Sequence, residues 1–243
     1  MSHLKLKGRY YKAAPYENPT GYMIEELELN IGETAFMVVD VYGLGHSEGE
    51  PIPKNPAFGT IKMHKIETEI MRNKIKPALD EARKLGLKII YVTNYCPTIA
   101  VKESEFGKYT ARFHSYDVEK EFSSNREALK FSRIIAPRPD DFLVKKQMYD
   151  GFFDTNLNSL LKNLRIRNLI YVGFAANICL LTTMLGGFYR NYRTVLLRDC
   201  TLAWEYPDTV EGLRNTKESI RYTESFIGFT ITSEEFIKVC SSV

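Results

Sequence analysis

The sequence is poor in the features that would place it in several large classes. Its 243 residues hold only four cysteines, Cys96, Cys179, Cys200 and Cys240, and no two of them form a CxxC pair. That excludes the common zinc and thioredoxin patterns. No apolar run approaches the roughly 20 residues that a membrane-spanning helix needs. The opening "MSHLKLKGRYYKAAPYENP" has no apolar core of the secretory kind. Charge of either sign is scarcely in excess, with a formal net of +3, and the basic residues are scattered. A nucleic-acid surface calls instead for a basic stripe with interleaved aromatics. These absences describe a cytoplasmic protein with reduced thiols and neither a nucleic-acid nor a membrane partner.

What is present is ordinary for a globular chain: 44% hydrophobic and 26% charged residues. A chain of this length buries enough apolar surface to fold without disulfides or metal. Short β-branched runs alternate with helical patterns. "TAFMVVDV" (Thr34–Val41) reads as a buried strand, and "EIMRNKIKPALDEARKLG" as a helix stopped at Gly86. "LKIIYVTN", "DFLVKK", "NLIYVGF", "RTVLLRD" and "FIGFTIT" supply further strands. "TNLNSLLKNLRI", "ICLLTTMLGGFYRN" and a stretch over roughly Thr209–Tyr222 supply helices, with a short helix at the end. The alternation predicts a single α/β domain over residues 1–243. Its architecture is three-layer αβα around a mainly parallel, roughly six-stranded Rossmann-like sheet. Residues 1–29 read as an extended arm whose aromatics suit a subunit contact, so a homo-oligomer, dimer or tetramer, is expected. Residues 95–139 read as an insertion serving as a lid or an interface, with a weak helical pattern near Glu119–Arg133.

"VYGLGHSEGEPIP" resembles a dinucleotide loop, because Gly43, Gly45 and Gly49 follow a strand. That motif requires the glycines to feed a helix, and Pro51, Pro53 and Pro56 oppose one. The loop is better suited to bordering a small-molecule site. His46, with no companion at metal-ligand spacing, is expected to be exposed.

Right-handed crossovers bring the ends of the strands carrying Asp40, Asn94, Lys146 and Gly173 to one sheet edge, where α/β folds bind ligands. Taken singly, Asp40 reads as a cap, Lys146 as a surface lysine and Cys179 as a small buried hydrophobe. Together they form a nucleophile set. Cys179 falls in the first turn of a helix, where the helix terminus and an ammonium favour the thiolate and a carboxylate can accept the thiol proton.

The stretches "FMVVD", "VKKQMYDGFFDTNLNSLL", "LIYVGFAANICLLTTM" and "TVLLRDC" resemble the isochorismatase-like cysteine hydrolase superfamily. The resemblance runs from Thr34 to Ser233 and leans toward the ureidoacrylate and ureido amidohydrolase branch. It implies a catalytic triad of Asp40, Lys146 and Cys179. It also implies a cis Phe174–Ala175 peptide, with the amides of Ala175 and Cys179 forming an oxyanion hole. Asn94, Tyr149, Phe152 and Asn177 would contact substrate, although core packing under the helix is expected for at least one of Phe152 and Phe153. "FAANIC" has alanines where the family usually places a threonine, so one hydroxyl contact is missing. "VTNYCPTIAVKES" lacks the histidines with which nicotinamidases hold a metal, so neither a catalytic metal nor any other cofactor is expected.

The implied reaction is hydrolysis of a C–N amide or ureido bond of a small molecule through a thioester. Isochorismatase proper, a vinyl-ether hydrolase, lacks the cysteine, which weighs against an ether substrate here. The rival classes are a non-catalytic relative of the same fold and a nucleotide-dependent oxidoreductase. Retention of all three triad residues disfavours the first, and the prolines after the glycine loop disfavour the second.

Overall fold

The computed structural model describes residues 2–54, 56–95, 103–114 and 130–243. Its centre is an eight-stranded sheet: β1 (His3–Lys12), β2 (Gly21–Asn30), β3 (Thr34–Val39), β4 (Lys88–Asn94), β5 (Phe142–Lys146), β6 (Asn168–Phe174), β7 (Arg193–Leu202) and β8 (Phe229–Ile231). The spatial order is β2-β1-β8-β7-β6-β3-β4-β5. Strands β3 to β8 pair in parallel throughout and correspond to the six runs read from the sequence.

The N-terminal segment differs from expectation. It is an antiparallel hairpin, β1 on β2, which joins the sheet through β8 rather than lying on it as an arm. Its alternation explains why. Leu4, Leu6, Leu27 and Leu29 are buried. Between them Lys5 faces Glu28 and Lys7 faces Glu26 across the hairpin. Such opposite-charge pairs and a one-sided apolar face are what an edge hairpin needs. The turn residues Pro15, Pro19 and Gly21 interrupt the pattern and mask it in the linear sequence.

Alternate residues of β3 enter two cores. Phe36 and Val38 join the cluster of Met71, Ile75 and Leu79. Ala35, Met37 and Val39 join that of Leu157, Leu161, Leu180 and Met184. Helices α1 (Ile61–Ile70), α2 (Lys76–Lys84) and α7 (Ser233–Cys240) therefore cover one face. Helices α4 (Leu157–Asn163) and α5 (Cys179–Phe188) cover the other. Helix α3 (Glu105–His114) lies in the insertion and α6 (Arg214–Phe226) precedes β8.

Three helix boundaries depart from the sequence reading. The first helix begins near Thr60, whose hydroxyl caps Met63 N–H at 3.2 Å, well before Glu69. It passes through a π turn at Met71–Ile75 before α2. Pro77, which lacks an N–H, follows that turn, and the wider winding absorbs the missing bond. Helix α6 starts at Arg214 rather than near Thr209, because Gly212 and Leu213 both have positive φ, 76° and 51°. In the insertion the helix is at 105–114. Most of the pattern expected near Glu119–Arg133 lies outside the described residues. Among the described residues no helix is long and apolar enough to cross a membrane.

Candidate active site

The site forms where four parallel strands end side by side. Val39 of β3 pairs with Gly173 of β6, and Asn94 of β4 pairs with Lys146 of β5. A Cβ on Gly173 would fall 2.0 Å from the Val39 carbonyl oxygen, so only glycine lets β6 approach β3 at this point. Asp40 follows directly. Its φ of 48° turns the chain away from the sheet while its N–H still donates to Val92 O at 2.9 Å.

Lys146 is wholly buried. Its ammonium lies 2.8 Å from Asp40 Oδ2, reaching across β4 to do so. On the way it donates to Asn94 Oδ1. The Asn94 amide in turn donates to Tyr42 Oη at 2.6 Å. Cys179, the first residue of α5, closes the group, near enough to Asp40 and Lys146 for its titration to couple to both. The ammonium thus meets a carboxylate and an amide oxygen, which is what a buried lysine requires.

The electrostatics differ from the sequence reading in one respect. Burial pushes the Cys179 thiol well up, and the Asp40 charge adds to this, while Lys146 only partly opposes it. The resting sulfur is therefore a neutral thiol and not a preformed thiolate. Burial also raises the Asp40 carboxyl above its ordinary value, against the lowering effects of Lys146 and of the Cys179 hydrogen bond. Burial pulls Lys146 down, but the Asp40 carboxylate beside it acts the other way, and the ammonium is raised overall. A cationic lysine sits between a weakened acid and a protonated thiol. The thiol proton and the best base for it are neighbours.

The turn before Cys179 is braced from outside. The Phe174–Ala175 peptide is cis. Ala176 N–H donates to Leu202 O at 2.9 Å, and Ile178 and Leu180 N–H both donate to Ala175 O, at 3.0 and 3.1 Å. Asn177 Nδ2 donates to Trp204 O at 3.1 Å, and Asn177 Oδ1 accepts from Trp204 N at 2.9 Å. Thr183 accepts from Gly151 N–H at 3.0 Å and donates to Cys179 O at 2.7 Å, tying α5 to the segment after Lys146.

The structure brings Asp40, Asn94, Lys146 and Cys179 together. Tyr149, partly exposed, lies at their border, where burial raises its hydroxyl above the usual phenol range. Its ring packs edge-on against Phe106 of α3, with centroids 5.1 Å apart. Three of the expected substrate contacts have partners within the protein. Phe152 is buried, with its ring stacked on Tyr192 at 6.0 Å and under Arg190 at 5.1 Å, so it packs the core. Neighbouring Phe153 is the exposed one of the pair. Asn177 spends its amide on the Trp204 backbone. Asn94 likewise is engaged in holding Lys146 and Tyr42.

Sequence reasoning missed Tyr42, Thr183 and the Phe106–Thr110 face of α3. Only Tyr42 had a signal, its place two residues after Asp40. His46 is also misplaced by the sequence reading: it is 1% exposed and its ring stacks on His64, with centroids 4.2 Å apart. Among the described residues no helix follows the glycines of that loop before Thr60.

Comparison with known proteins decides the lineage. Residues 58–225 match the Isochorismatase domain, a span that holds Lys146 and Cys179 and begins after Asp40. The chain belongs to the isochorismatase-domain family. Among curated relatives of this isochorismatase-domain chain, the ureidoacrylate amidohydrolase RutB of Agrobacterium fabrum is 29% identical over 235 residues, covering 89% of this chain and 94% of its own. The RutB of Enterobacter sp. is 30% identical over 179 residues, covering 69% and 74%. A cysteine hydrolase from Pseudomonas syringae pv. phaseolicola superposes with a TM-score of 0.72 at 22% identity, over 88% of this chain and 95% of its own. N-carbamoylsarcosine amidase from Thermoplasma acidophilum superposes with a TM-score of 0.60 at 19% identity, over 83% and 97%. These superpositions establish the α/β fold of the family.

Proposed function

We propose that this isochorismatase-domain protein hydrolyses a C–N amide or ureido bond of a small molecule, with Cys179 as nucleophile, Asp40 as general base and acid, and Lys146 as their electrostatic anchor. The observation that carries the reading is the buried contact of Lys146 with Asp40 at 2.8 Å, closed by Cys179. The amidohydrolase and carbamoyl-amidase names of the relatives support the substrate class.

In the first half-reaction Asp40 takes the Cys179 proton as sulfur attacks the carbonyl carbon. The oxygen becomes an anion in reach of the Ala175 and Cys179 amides. As the tetrahedral species collapses, the C–N bond breaks and Asp40 returns the proton to the leaving nitrogen. A thioester remains. Water then attacks the thioester carbon and gives a proton to Asp40, the C–S bond breaks, and the proton passes back to sulfur. Lys146 stays charged throughout, so the Asp40–Cys179 pair gains or loses a proton without leaving an uncompensated buried charge. Each proton transfer contributes on the order of a hundredfold or more, and the oxyanion donors a similar factor.

The test is ammonia release from a panel of ureido acids, biuret-like compounds and simple carboxamides. At least one ureido or amide member is turned over if the reading holds. Silence on the whole panel contradicts it.

A further inference from the structure

Far from the notice of the sequence, two of the four histidines come together. His46 lies in the glycine loop after Asp40, and His64 and Glu67 lie on α1. All three are almost completely buried, at 1%, 2% and 1% exposure. The hydrogen bonds fix where each ring carries its proton. His64 Nε2 faces Gly45 O at 3.0 Å, and a carbonyl only accepts, so the proton is on Nε2 and Nδ1 bears a lone pair. The Thr68 hydroxyl donates to His64 O at 2.9 Å, so it accepts from His46 Nδ1 at 2.7 Å, and His46 Nε2 bears a lone pair.

Both lone pairs turn toward one oxygen. Glu67 Oε2 is 3.8 Å from His46 Nε2 and 4.0 Å from His64 Nδ1. These gaps are too long for hydrogen bonds. His64 Nδ1 and Glu67 Oε2 are both buried without a hydrogen-bond partner. The three atoms lie within 4.8 Å of one another. Gly43 keeps the space open, since a Cβ there would come within 3.3 Å of His46 Nε2. Two imidazole lone pairs and a buried Glu67 oxygen face one gap, which a positive centre would join. Each ring already donates its far N–H to an oxygen, the arrangement that orients metal-bound histidines.

We propose that His46, His64 and Glu67 bind a first-row divalent cation, zinc foremost, as a structural clasp between the loop after Asp40 and helix α1. Ligand atoms of a tetrahedral zinc site stand about 3.3 Å apart, from bonds of about 2.0–2.1 Å. Small side-chain rotations bring the observed separations to that value. Two nitrogens and one carboxylate leave a fourth position for water, and their mixed hardness suits zinc rather than calcium or magnesium. The clasp is independent of the hydrolytic chemistry proposed above. It would fix the loop that carries Tyr42 and, through it, Asn94.

The experiment is metal titration of chelator-treated full-length protein, with zinc followed by competition against a chromophoric chelator and cobalt followed by its visible spectrum. The expected result is one equivalent of zinc and a cobalt spectrum with d–d bands but no thiolate charge-transfer band. Affinity falls at least a hundredfold in Glu67→Gln and in His64→Gln and is unchanged in Cys179→Ala. Because the cobalt spectrum is read on the wild type, it decides the matter even where a variant folds poorly. Failure of the wild type to bind zinc overturns the proposal. So does a charge-transfer band that vanishes in Cys179→Ala, which would place the ion on the active-site thiol.

Discussion

At the residue scale, the protonation states of the site matter more than its membership. A thiol raised by burial and a carboxyl raised by the same burial mean that Asp40 has to be ionised before sulfur can attack. Activity should therefore rise with pH along an acid limb whose apparent pKa lies above the carboxylate reference of about 3.9. In Asp40→Asn that limb disappears together with most of the rate, as measured by a pH profile of kcat/KM. The same raised carboxyl favours the folded state below the unfolded pKa, and this contribution fades as pH rises through the folded value. Lys146 carries the opposite risk. Removing it in Lys146→Met leaves Asp40 buried without a cation, which costs on the order of 3–5 kcal/mol in a denaturant melt. Restoring stability with Asp40→Asn in the same chain, without restoring activity, would separate the structural from the chemical role of the pair.

Asp40, Lys146 and Cys179 were legible because each terminates or begins an apolar run, and a polar group leaving a buried strand stands out. For Asn177 and Phe152 the side-chain direction was not legible, because proximity in sequence to a nucleophile or a lysine does not fix where a side chain turns. Asn177 faces a backbone segment that follows β7, and Phe152 faces Tyr192, and neither partner is near in sequence.

At the element scale, the site depends on how closely β6 and β3 approach and on how the turn before α5 is held. Gly173→Ala would push β6 from Val39 and Asp40. Its methyl has backbone, not a flexible side chain, as its neighbour, so loss of several kcal/mol is expected, read as loss of soluble protein or a large fall in Tm. Asn177→Ala removes both bonds to Trp204 and should cost about 1–3 kcal/mol, with kcat falling more than KM rises, because the turn bearing Cys179 loosens. Helix α3 meets the site at Tyr149, against which Phe106 packs. Phe106→Ala should therefore raise KM while leaving the reactivity of Cys179 toward a small alkylating agent near the wild-type rate. The strands were readable from their β-branched runs, whereas the α1 start was not. Its first turn, "IKMHKIE", has a weak apolar face, and what fixes it is the Thr60 cap and the burial of His64 and Glu67.

At the scale of the whole molecule, the hairpin of β1 and β2 extends the sheet beyond β8 and completes the core beneath α7, where Phe236 packs against Phe36 with ring centroids 5.7 Å apart. Glu224 of α6 holds Arg9 of β1 at 2.7 Å from a fully buried position. The hairpin is thus part of the fold's core. Its period was hidden by a proline-rich turn, and its partner β8 is only three residues long, too short for the pairing to be foreseen. Leu27→Ala, which empties a buried position on the hairpin, should destabilise the entire domain by about 2–5 kcal/mol in a single cooperative transition.

Every scale converges on the sulfur of Cys179, held between Asp40 and Lys146 at the end of a parallel sheet. The most direct measurement is kcat/KM for ammonia release from the best ureido or amide substrate, compared between wild type and Cys179→Ala at matched folding by circular dichroism. A loss of roughly a thousandfold or more is predicted, as expected when a nucleophile acting with its base is removed. A variant that folds normally and retains activity within tenfold of wild type would contradict the nucleophile assignment.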